Sequence, residues 1–302
     1  MTSWKLTAFG PKLLIRDALV AQEDVIDWDP EIVLAGFEIA DDKPEDWRLD
    51  AYLPRRPNAA DKAAIRSLFE GEVPEFTVEK LPEADWVTQS QEGIEPIRAG
   101  RFNVHTPEFE PDPSPGIVNF AIPASQAFGT GQHQTTAGCL AMLDAMKASG
   151  FVARNIADIG TGTGLLAFAA LNLWPFATAT ASDIDPVCTG VIEHNCELNG
   201  VRMGASAGEL TMVIADGMAD PLLQARGPYD LLIANILAGP LVELASNFAE
   251  ATAPGGSVLL SGLLETQEPR VRRAYRVQGF RLAARLVNGD WSVLWLRKRR
   301  MR

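Results

Sequence analysis

The amino-acid sequence predicts an α/β protein in which a doubly wound, mainly parallel sheet follows a small α+β domain. From Gly116 onward, short apolar runs typical of strands alternate with segments of helical periodicity, which indicates a parallel sheet between two layers of helices. Before Lys80 the elements follow the order βαββαβ, the pattern of ferredoxin-like domains. Between these regions, HTPEFEPDPSPG contains four prolines in twelve residues, as expected of an extended linker. The predicted boundaries are 1–81 for the ferredoxin-like domain, 82–115 for the linker and 116–302 for the second domain.

The first domain contains a local signal for each predicted element. Alternation predicts the first strand, and proline at a first-turn position predicts that a helix opens at Pro11. An acidic turn separates two further strands, an Asn start and a Gly stop bound the second helix, and a last strand closes the domain. In chain order these segments are SWKLTAF, PKLLIRDALVAQ, EIVLAGFEIA, WRLDAYLP, NAADKAAIRSLFEG and EFTVEKL.

The second domain alternates strands and helices almost to its end. The strand segments are IVNFAI, NIADIG, ATATASDID, LTMVIAD, YDLLIANI, SVLLSG, FRLAARLV and WSVLWLRK. The helix segments are HQTTAGCLAMLDAMKASG, LLAFAALNLW, PVCTGVIEHNCELNG and GPLVELASNFAEATAPGG, with a further helix near 265–278. The turn NGD between the last two strands predicts an antiparallel hairpin at the sheet edge.

Composition narrows the class of protein. Among 302 residues, 47% are apolar and 22% are charged, which is ordinary for a globular protein. There is no apolar run long enough to span a membrane and no apolar core of a secretory signal. The three cysteines form no C-x-x-C pair, so we expect a metal-free cytoplasmic protein with reduced thiols.

The charge is negative and uneven. The net charge is −12, which opposes tight binding to a phosphate backbone and predicts no sequence-specific contact with nucleic acid. Residues 1–80 contain 10 basic and 17 acidic side chains. An acidic surface attracts basic partners, although solubility alone also explains such a charge.

The loop ADIGTGTG is the first candidate site. Its three alternating glycines follow a strand and precede a helix, but the spacing G-x-G-x-G is not the dinucleotide pattern G-x-G-x-x-G, and no Walker lysine follows. Gly160 and Gly162 would let a ligand approach the backbone where a Cβ would block it. A short loop of this kind favours a nucleoside cofactor over a dinucleotide, without excluding NAD.

Two polar residues follow strands of the predicted sheet. Asp183 lies 23 residues after Gly160, where a carboxylate can accept both hydroxyls of a ribose, whereas Asp185 before Pro186 suits a helix N-cap. Asn235 closes an apolar strand at the edge that faces the ligand crevice, but it could equally cap the next helix.

The segment QAFGTGQHQTT before a helix is the last candidate. Thr130 and nearby backbone N–H groups could bind a carboxylate at the helix N-terminus, while Thr135 or Thr136 could cap that helix. His133 is a possible base, although a buried hydrogen-bonding role is commoner for histidine.

Taken together, AFGTGQHQTT, DIGTGTGLLAFAA, SDIDP and DLLIANILAGPL resemble, in this order and spacing, the ribosomal protein L11 methyltransferases, the PrmA family. The resemblance spans about Trp86 to Trp295. It implies a seven-stranded class I methyltransferase sheet, S-adenosylmethionine as cofactor, and methylation of lysine side chains and an α-amine of ribosomal protein L11. The first domain would then recognise the substrate.

The resemblance also assigns residues. Cofactor contacts fall on Thr130, Gly160, Asp183 and Asn235, with Gly162 in the same loop. Asn235 is in addition a possible contact to the reacting amine, and no dedicated catalytic base is expected. The role of Asp216 stays open.

The resemblance also implies partners, and other classes of protein stay open as alternatives. We expect a basic protein substrate, no membrane and a monomer. One rival is a methyltransferase acting on another protein, a nucleic-acid base or a glutamine amide; the Asn- or Asp-Pro-Pro-aromatic tetrapeptide common in base and amide enzymes does not occur at NILA. A dehydrogenase and a non-catalytic protein-binding module are the others.

Overall fold

The computed structural model describes residues 4–23, 25, 28–29, 31–39, 45–69, 71, 73–80, 96–123 and 132–300. The chain divides into two compact units, Met1–Glu92 and Gly93–Arg302. Each unit has its own apolar core.

The first unit is a four-stranded antiparallel sheet with two helices. Its strands lie in the order β2-β3-β1-β4. This order confirms the predicted βαββαβ ferredoxin-like pattern. The elements are β1 (Trp4–Pro11), α1 (Lys12–Glu23), β2 (Val33–Glu38), β3 (Asp46–Leu53), α2 (Ala59–Arg66) and β4 (Phe76–Lys80).

Local chemistry sets the helix starts of this unit. Asn58 caps α2: its side-chain oxygen accepts the N–H groups of Ala60 and Asp61, and the Asp61 carboxylate accepts the N–H of Asn58 in return. The prediction that a helix opens at Pro11 was wrong by one residue, because Pro11 still pairs with Asp46 as the last residue of β1.

The second unit is built on a doubly wound sheet in the order β10-β11-β9-β8-β12-β13-β15-β14. Neighbours from β10 to β13 are parallel, and β15 is antiparallel to both β13 and β14. Its elements are β5 (Ile97–Ala99), β6 (Phe102–His105), β7 (Val118–Ala121), α3 (Gln132–Ala148), β8 (Asn155–Ile159), α4 (Leu165–Leu173), β9 (Thr178–Asp183), α5 (Val187–Asn199), β10 (Arg202–Met203), β11 (Glu209–Ile214), α6 (Pro221–Arg226), β12 (Tyr229–Asn235), α7 (Ala238–Glu243), α8 (Ala245–Ala251), β13 (Thr252–Leu264), α9 (Glu268–Val277), β14 (Phe280–Asn288) and β15 (Trp291–Lys298).

This sheet matches the predicted fold with one addition. The seven strands from β11 to β14 form the expected doubly wound sheet, and the two-residue β10 extends one edge. The predicted hairpin is present as β14 and β15, with β15 between β13 and β14.

The predicted linker is wrong over residues 97–105. These residues form β5 and β6, which pair with β7 in a three-stranded sheet. Phe102 and Val104 of β6 are buried in the core of the second unit, and Arg101 pairs with Asp144 of α3 at 2.7 Å. The residues 81–95 of the predicted linker lie outside the described part of the chain.

Two other boundaries differ from prediction. The helix expected over 239–256 is interrupted at Leu244 and ends at Ala251, because β13 already pairs with β12 at Thr252. The short helix α6 was not predicted, although Asp220 caps it through two backbone N–H groups, at 2.7 and 3.2 Å.

Candidate active site

The carboxyl ends of four neighbouring strands define the candidate site. From β8 the chain continues to β9 and β11 on one side, and it returns to β12 on the other side. This reversal of direction makes the gap between β8 and β12 the switch point of the sheet, where ligands of doubly wound folds bind. The glycine loop, Asp183 and Asn235 all follow or end strands at this edge.

The glycine loop is held by backbone hydrogen bonds. Gly160, Gly162 and Gly164 have φ values of 68°, 55° and 83°, a region that side chains disfavour. The N–H groups of Gly160 and Thr161 both donate to the carbonyl of Ser182, at 2.8 and 3.0 Å, which fixes the loop beside the end of β9. A Cβ on Gly162 would meet no atom of the described residues within 4 Å, so those residues leave this part of the loop uncovered.

The buried carboxylate of Asp158 accepts hydrogen bonds from the glycine loop and from the helix that follows it. Asp158 is 1% exposed, and its Oδ2 accepts the Thr161 hydroxyl at 2.7 Å and the Ala167 N–H at 3.1 Å. These bonds tie the loop to the first turns of α4. Burial raises the pKa of Asp158 to about 7, its two hydrogen bonds oppose that rise, and the charge of Asp183 adds to it.

Asp183 connects β9 to the loop. Its Oδ2 accepts the N–H of Gly162 at 2.9 Å, and its Oδ1 accepts the N–H of Asp185 at 3.1 Å. A carboxylate offers about four lone-pair positions, so both oxygens can accept further hydroxyl donors. Burial, together with the neighbouring Asp183 charge, raises the pKa of the Cys188 thiol to about 12. Asp185 accepts the N–H of Val187 at 2.9 Å just before α5, although Pro186 and not Asp185 is the N-cap residue of that helix.

Asn235 ends β12 next to a residue that packs against two glycines. A Cβ on Gly160 would lie 2.3 Å from Cγ2 of Ile236, and a Cβ on Gly262 would lie 2.3 Å from its carbonyl oxygen. Ile236 therefore fits between the loop and an irregularity in β13. The Oδ1 of Asn235 is buried and receives no hydrogen bond from the described residues. Asn235 lies inside β12 and is separated from α7, which excludes the alternative that it caps that helix.

Helix α5 also forms a hydrogen bond with the glycine loop. The Asn195 amide donates to the carbonyl of Thr163 at 2.9 Å. One turn further, Asn199 exchanges two hydrogen bonds of 2.8 Å with the backbone of Ala121, the last residue of β7. A single helix thus holds the glycine loop and the end of the strand that leads towards residue 130.

The remaining predicted residues have different outcomes. Thr130 lies outside the described residues, as does the side chain of His133. The helix α3 already includes Gln132, so Thr135 and Thr136 lie within its first turns and not at its N-cap. Asp216 is exposed just beyond β11, at the same sheet edge as Asp183.

Sequence reasoning missed three contributors: Asp158, Asn195 and Ile236. A carboxylate inside the apolar run ADIG was the available signal for Asp158, because a charged residue in a buried strand needs partners. Nothing in the local sequence marks Asn195 or Ile236, since their contacts join distant segments.

Two other kinds of site are absent from the described part of the chain. Its His, Cys, Asp and Glu residues form no group of three suited to hold a metal ion. None of its helices is long and apolar enough to cross a membrane.

Comparisons with known proteins agree with this architecture. Residues 6–299 match the family model described as ribosomal protein L11 methyltransferase (PrmA). A protein named ribosomal protein L11 methyltransferase from Rhizobium meliloti (strain 1021) is 39% identical over 268 residues, 88% of this chain and 89% of that protein. One of the same name from Agrobacterium fabrum (strain C58 / ATCC 33970) is 37% identical over 89% of this chain and 90% of its own.

A solved structure is similar as well. The crystal structure of ribosomal protein L11 methylase from Lactobacillus delbrueckii subsp. bulgaricus has a TM-score of 0.57 and 28% identity, and it covers 68% of this chain and 100% of that chain.

The doubly wound sheet, the glycine loop and the acidic residue at the end of the next strand define a class I S-adenosylmethionine-dependent methyltransferase. The family match extends over nearly the whole chain. The chain belongs to the ribosomal protein L11 methyltransferase (PrmA) family, and S-adenosylmethionine is its methyl donor.

The residues present fit that donor. The described residues place no atom within 4 Å of a Cβ on Gly162, which leaves room for a nucleoside against the backbone. The buried Oδ1 of Asn235 needs a hydrogen-bond donor that the described residues do not supply, and a polar group of the ligand can provide one.

Proposed function

We propose that this chain methylates amines of ribosomal protein L11, at lysine side chains and an α-amine. The proposal that L11 is the substrate rests on relatives named ribosomal protein L11 methyltransferase, which are 37–39% identical over 88–89% of this chain. We further propose that the enzyme acts as a monomer in the cytoplasm.

Asp183, Gly160, Gly162, Asn235 and Thr130 are the proposed contacts to S-adenosylmethionine. Asp183 would accept the ribose hydroxyls, because its oxygens keep lone pairs beyond the two backbone bonds they receive. Gly160 and Gly162 would present backbone to the donor, and Thr130 would bind a carboxylate. When bound, S-adenosylmethionine supplies an already activated methyl group.

The protein must therefore supply position and a neutral amine. A lysine amine has an ordinary pKa near 10.4, and desolvation in a pocket favours its neutral form. Holding the amine in line contributes several kcal/mol through orientation alone. The orphaned Oδ1 of Asn235 is suited to accept an N–H of that amine or of the donor.

The first unit is the proposed docking surface for the basic substrate. Several of its carboxylates are exposed and form no ion pair with described residues. They are Asp17, Glu45, Asp46 and Glu75. Such charges raise association rates with a basic partner and lose effect as salt screens them.

Mass spectrometry of L11 after incubation with enzyme and labelled donor tests the reaction. We expect mass gains in steps of one methyl group on L11 amines, and slower gains with Asp183→Ala. An intact enzyme that binds the donor but leaves L11 unmodified contradicts the proposed substrate.

A charge-neutralised set tests the docking surface. Converting the four carboxylates above to their amides should raise KM for L11 at low salt while kcat and affinity for S-adenosylhomocysteine stay constant. The control neutralises four exposed carboxylates of the second unit, Glu193, Glu197, Glu243 and Glu250. Equal effects of the two sets would show that only net charge matters.

A further inference from the structure

The last 33 residues have a charge opposite to that of the rest of the protein. Residues 270–302 contain ten arginines, one lysine and one carboxylate, that of Asp290. The other 269 residues contain 16 basic and 38 acidic side chains. Attraction between the protein's own acidic and basic side chains does not explain this segregation, because basic residues spread among the carboxylates would form more favourable charge pairs.

The fold collects five of these arginines at one place. Arg281 of β14 lies directly opposite Arg297 of β15, and its Nη1 reaches the carbonyl of Arg276 at 3.3 Å. The backbone N–H of Arg299 donates to Gly279, which lies next to β14. Arg300 and Arg297 both approach Gly255. We call Arg276, Arg281, Arg297, Arg299 and Arg300 the arginine cluster.

The cluster is exposed, and its charges are not neutralised by described residues. All five side chains are exposed. The ion pairs of this region involve Arg272 and Arg285, which bind Glu265 and Glu268, and not the members of the cluster. Like charges directly opposite on neighbouring strands are destabilising, so the protein keeps an unfavourable arrangement here.

The electrostatic effect is felt inside the cluster. Partial desolvation lowers the pKa of Arg281, and the charges of Arg299 and Arg276 lower it further. An anion placed among these guanidinium groups would remove that repulsion.

The cluster lies at the end of the sheet opposite to the candidate active site. Arg297 pairs with Ser257 near the start of β13, whereas Asn235 pairs with Ser261 towards its end. Four residues of strand separate these levels by about 13 Å. A ligand on the cluster therefore leaves the crevice accessible.

The chemistry favours phosphate over other anions. Arginine presents a planar fork that binds phosphate at two points, and ten of the eleven basic residues in this segment are arginine. A membrane surface would also need an exposed apolar helix face, but Val271 and Tyr275 of α9 are fully buried in the core, and its exposed Val277 does not by itself form such a face.

We propose that the arginine cluster binds the phosphate backbone of RNA without regard to sequence, and that it holds the enzyme on substrate protein that is part of an RNA-containing particle. The RNA contact stands on the cluster alone, while its link to methylation rests on the proposed function. The overall net charge of −12 opposes this contact, but the local field of the cluster favours it.

Fluorescence anisotropy with a labelled single-stranded RNA tests the contact directly. The test variant is the full chain with Arg276→Gln, Arg281→Gln and Arg299→Gln. We expect Kd to rise at least tenfold at low salt, and the slope of log K against log salt to fall by about 2, since each phosphate contact to a single strand contributes about 0.7. A variant with lysine at the same positions should keep most of that slope.

The control carries the same change of net charge elsewhere. Arg56→Gln, Arg154→Gln and Arg202→Gln replace three exposed arginines outside the cluster. Affinity for RNA within twofold of wild type is expected for this control. Equal losses in both variants, no measurable RNA binding by wild type, or tighter binding to phosphatidylserine vesicles or polyglutamate at equal charge concentration would each overturn the proposal.

Two further measurements locate the contact. Saturating S-adenosylhomocysteine should leave RNA affinity unchanged, whereas displacement of RNA would place it in the crevice and refute the cluster. Methylation of free L11 by the test variant should equal that of wild type, while KM for L11 within large ribosomal subunits should rise at least threefold. An unchanged KM with subunits refutes the tethering role. Absence of any L11 methylation by wild type refutes the proposed function and leaves the RNA measurement intact.

Discussion

Replacing Gly160 by alanine perturbs two features of the crevice at once. The φ value of 68° costs a residue with a Cβ about 1–2 kcal/mol. The new methyl carbon would also lie 2.3 Å from Cγ2 of Ile236, which must move. Overpacking of this kind costs about 1–3 kcal/mol, so we expect Gly160→Ala to destabilise the second unit by about 2–5 kcal/mol.

Gly162→Ala is the matched control. Its φ of 55° imposes a similar backbone cost, but its Cβ would meet nothing within 4 Å among the described residues. The extra 1–3 kcal/mol of Gly160→Ala corresponds to about 2–12 °C in the thermal midpoint of a unit of this size. Scanning calorimetry of both full-length variants measures that difference.

A second substitution separates strain from overlap. Ile236→Ala removes Cγ2, so adding Gly160→Ala to it should cost only the backbone term of about 1–2 kcal/mol. Equal midpoints for Gly160→Ala and Gly162→Ala in the wild-type background would refute the packing argument, whatever the activity of the two variants.

Three further predictions concern the groups around the loop. Asp183→Ala should weaken S-adenosylhomocysteine binding at least tenfold by calorimetry, because the donor loses its hydroxyl acceptor and Gly162 loses its partner; unchanged affinity would exclude the ribose role. Asn235→Ala should reduce kcat more than cofactor affinity if Oδ1 faces the amine, and a parallel loss would make it a cofactor contact only. Folding raises the pKa of Asp158 from an ordinary 3.8 to about 7, so the folded apo protein binds more protons than the unfolded chain between these values and its stability falls as pH rises through them, by up to about 1.4 kcal/mol per pH unit. Asp158→Asn should flatten that dependence in denaturant titrations from pH 4 to 7, and an unaltered profile would show that another group is responsible.

Prediction from sequence worked best where a local signal coincides with a local structure. The helix start at Asn58 and the stop at Gly200 are set by caps that involve only neighbouring residues. The predicted linker was wrong at β6, which comes directly before the proline-rich segment and whose formation depends on burial of Phe102 in a core made by distant elements. Burial of that kind leaves no local pattern.

The residues of the candidate site also divide into those that a local sequence pattern predicts and those that depend on contacts between distant segments. Asp183 and the glycines were recognisable because loop spacing and strand ends are properties of short segments. The position of Ile236 was not, since it depends on the simultaneous approach of Gly160 and Gly262, which are 102 residues apart in the chain. Asn195 likewise matters only because α5 packs beside the loop.

Substitutions in the crevice should change the thermal midpoint in two different ways, depending on whether the replaced residue holds the loop or contacts the ligand. Asp158 and Asn195 hold the loop through bonds made without any ligand, so their loss should lower the midpoint of the free protein. A ligand at concentration [L] stabilises the folded state by RT ln(1 + [L]/Kd), so a residue that only contacts the donor should instead reduce the rise in midpoint on adding S-adenosylhomocysteine. Asn235, whose Oδ1 receives no bond from described residues, should not belong to the first group, so Asn235→Ala should leave the free midpoint unchanged. Asp183 should fall in both, because it bonds Gly162 and is the proposed acceptor for the ribose. If Asn235→Ala lowered the free midpoint as much as Asp158→Ala, its amide would be part of the scaffold and the proposed contact to donor or amine would be wrong.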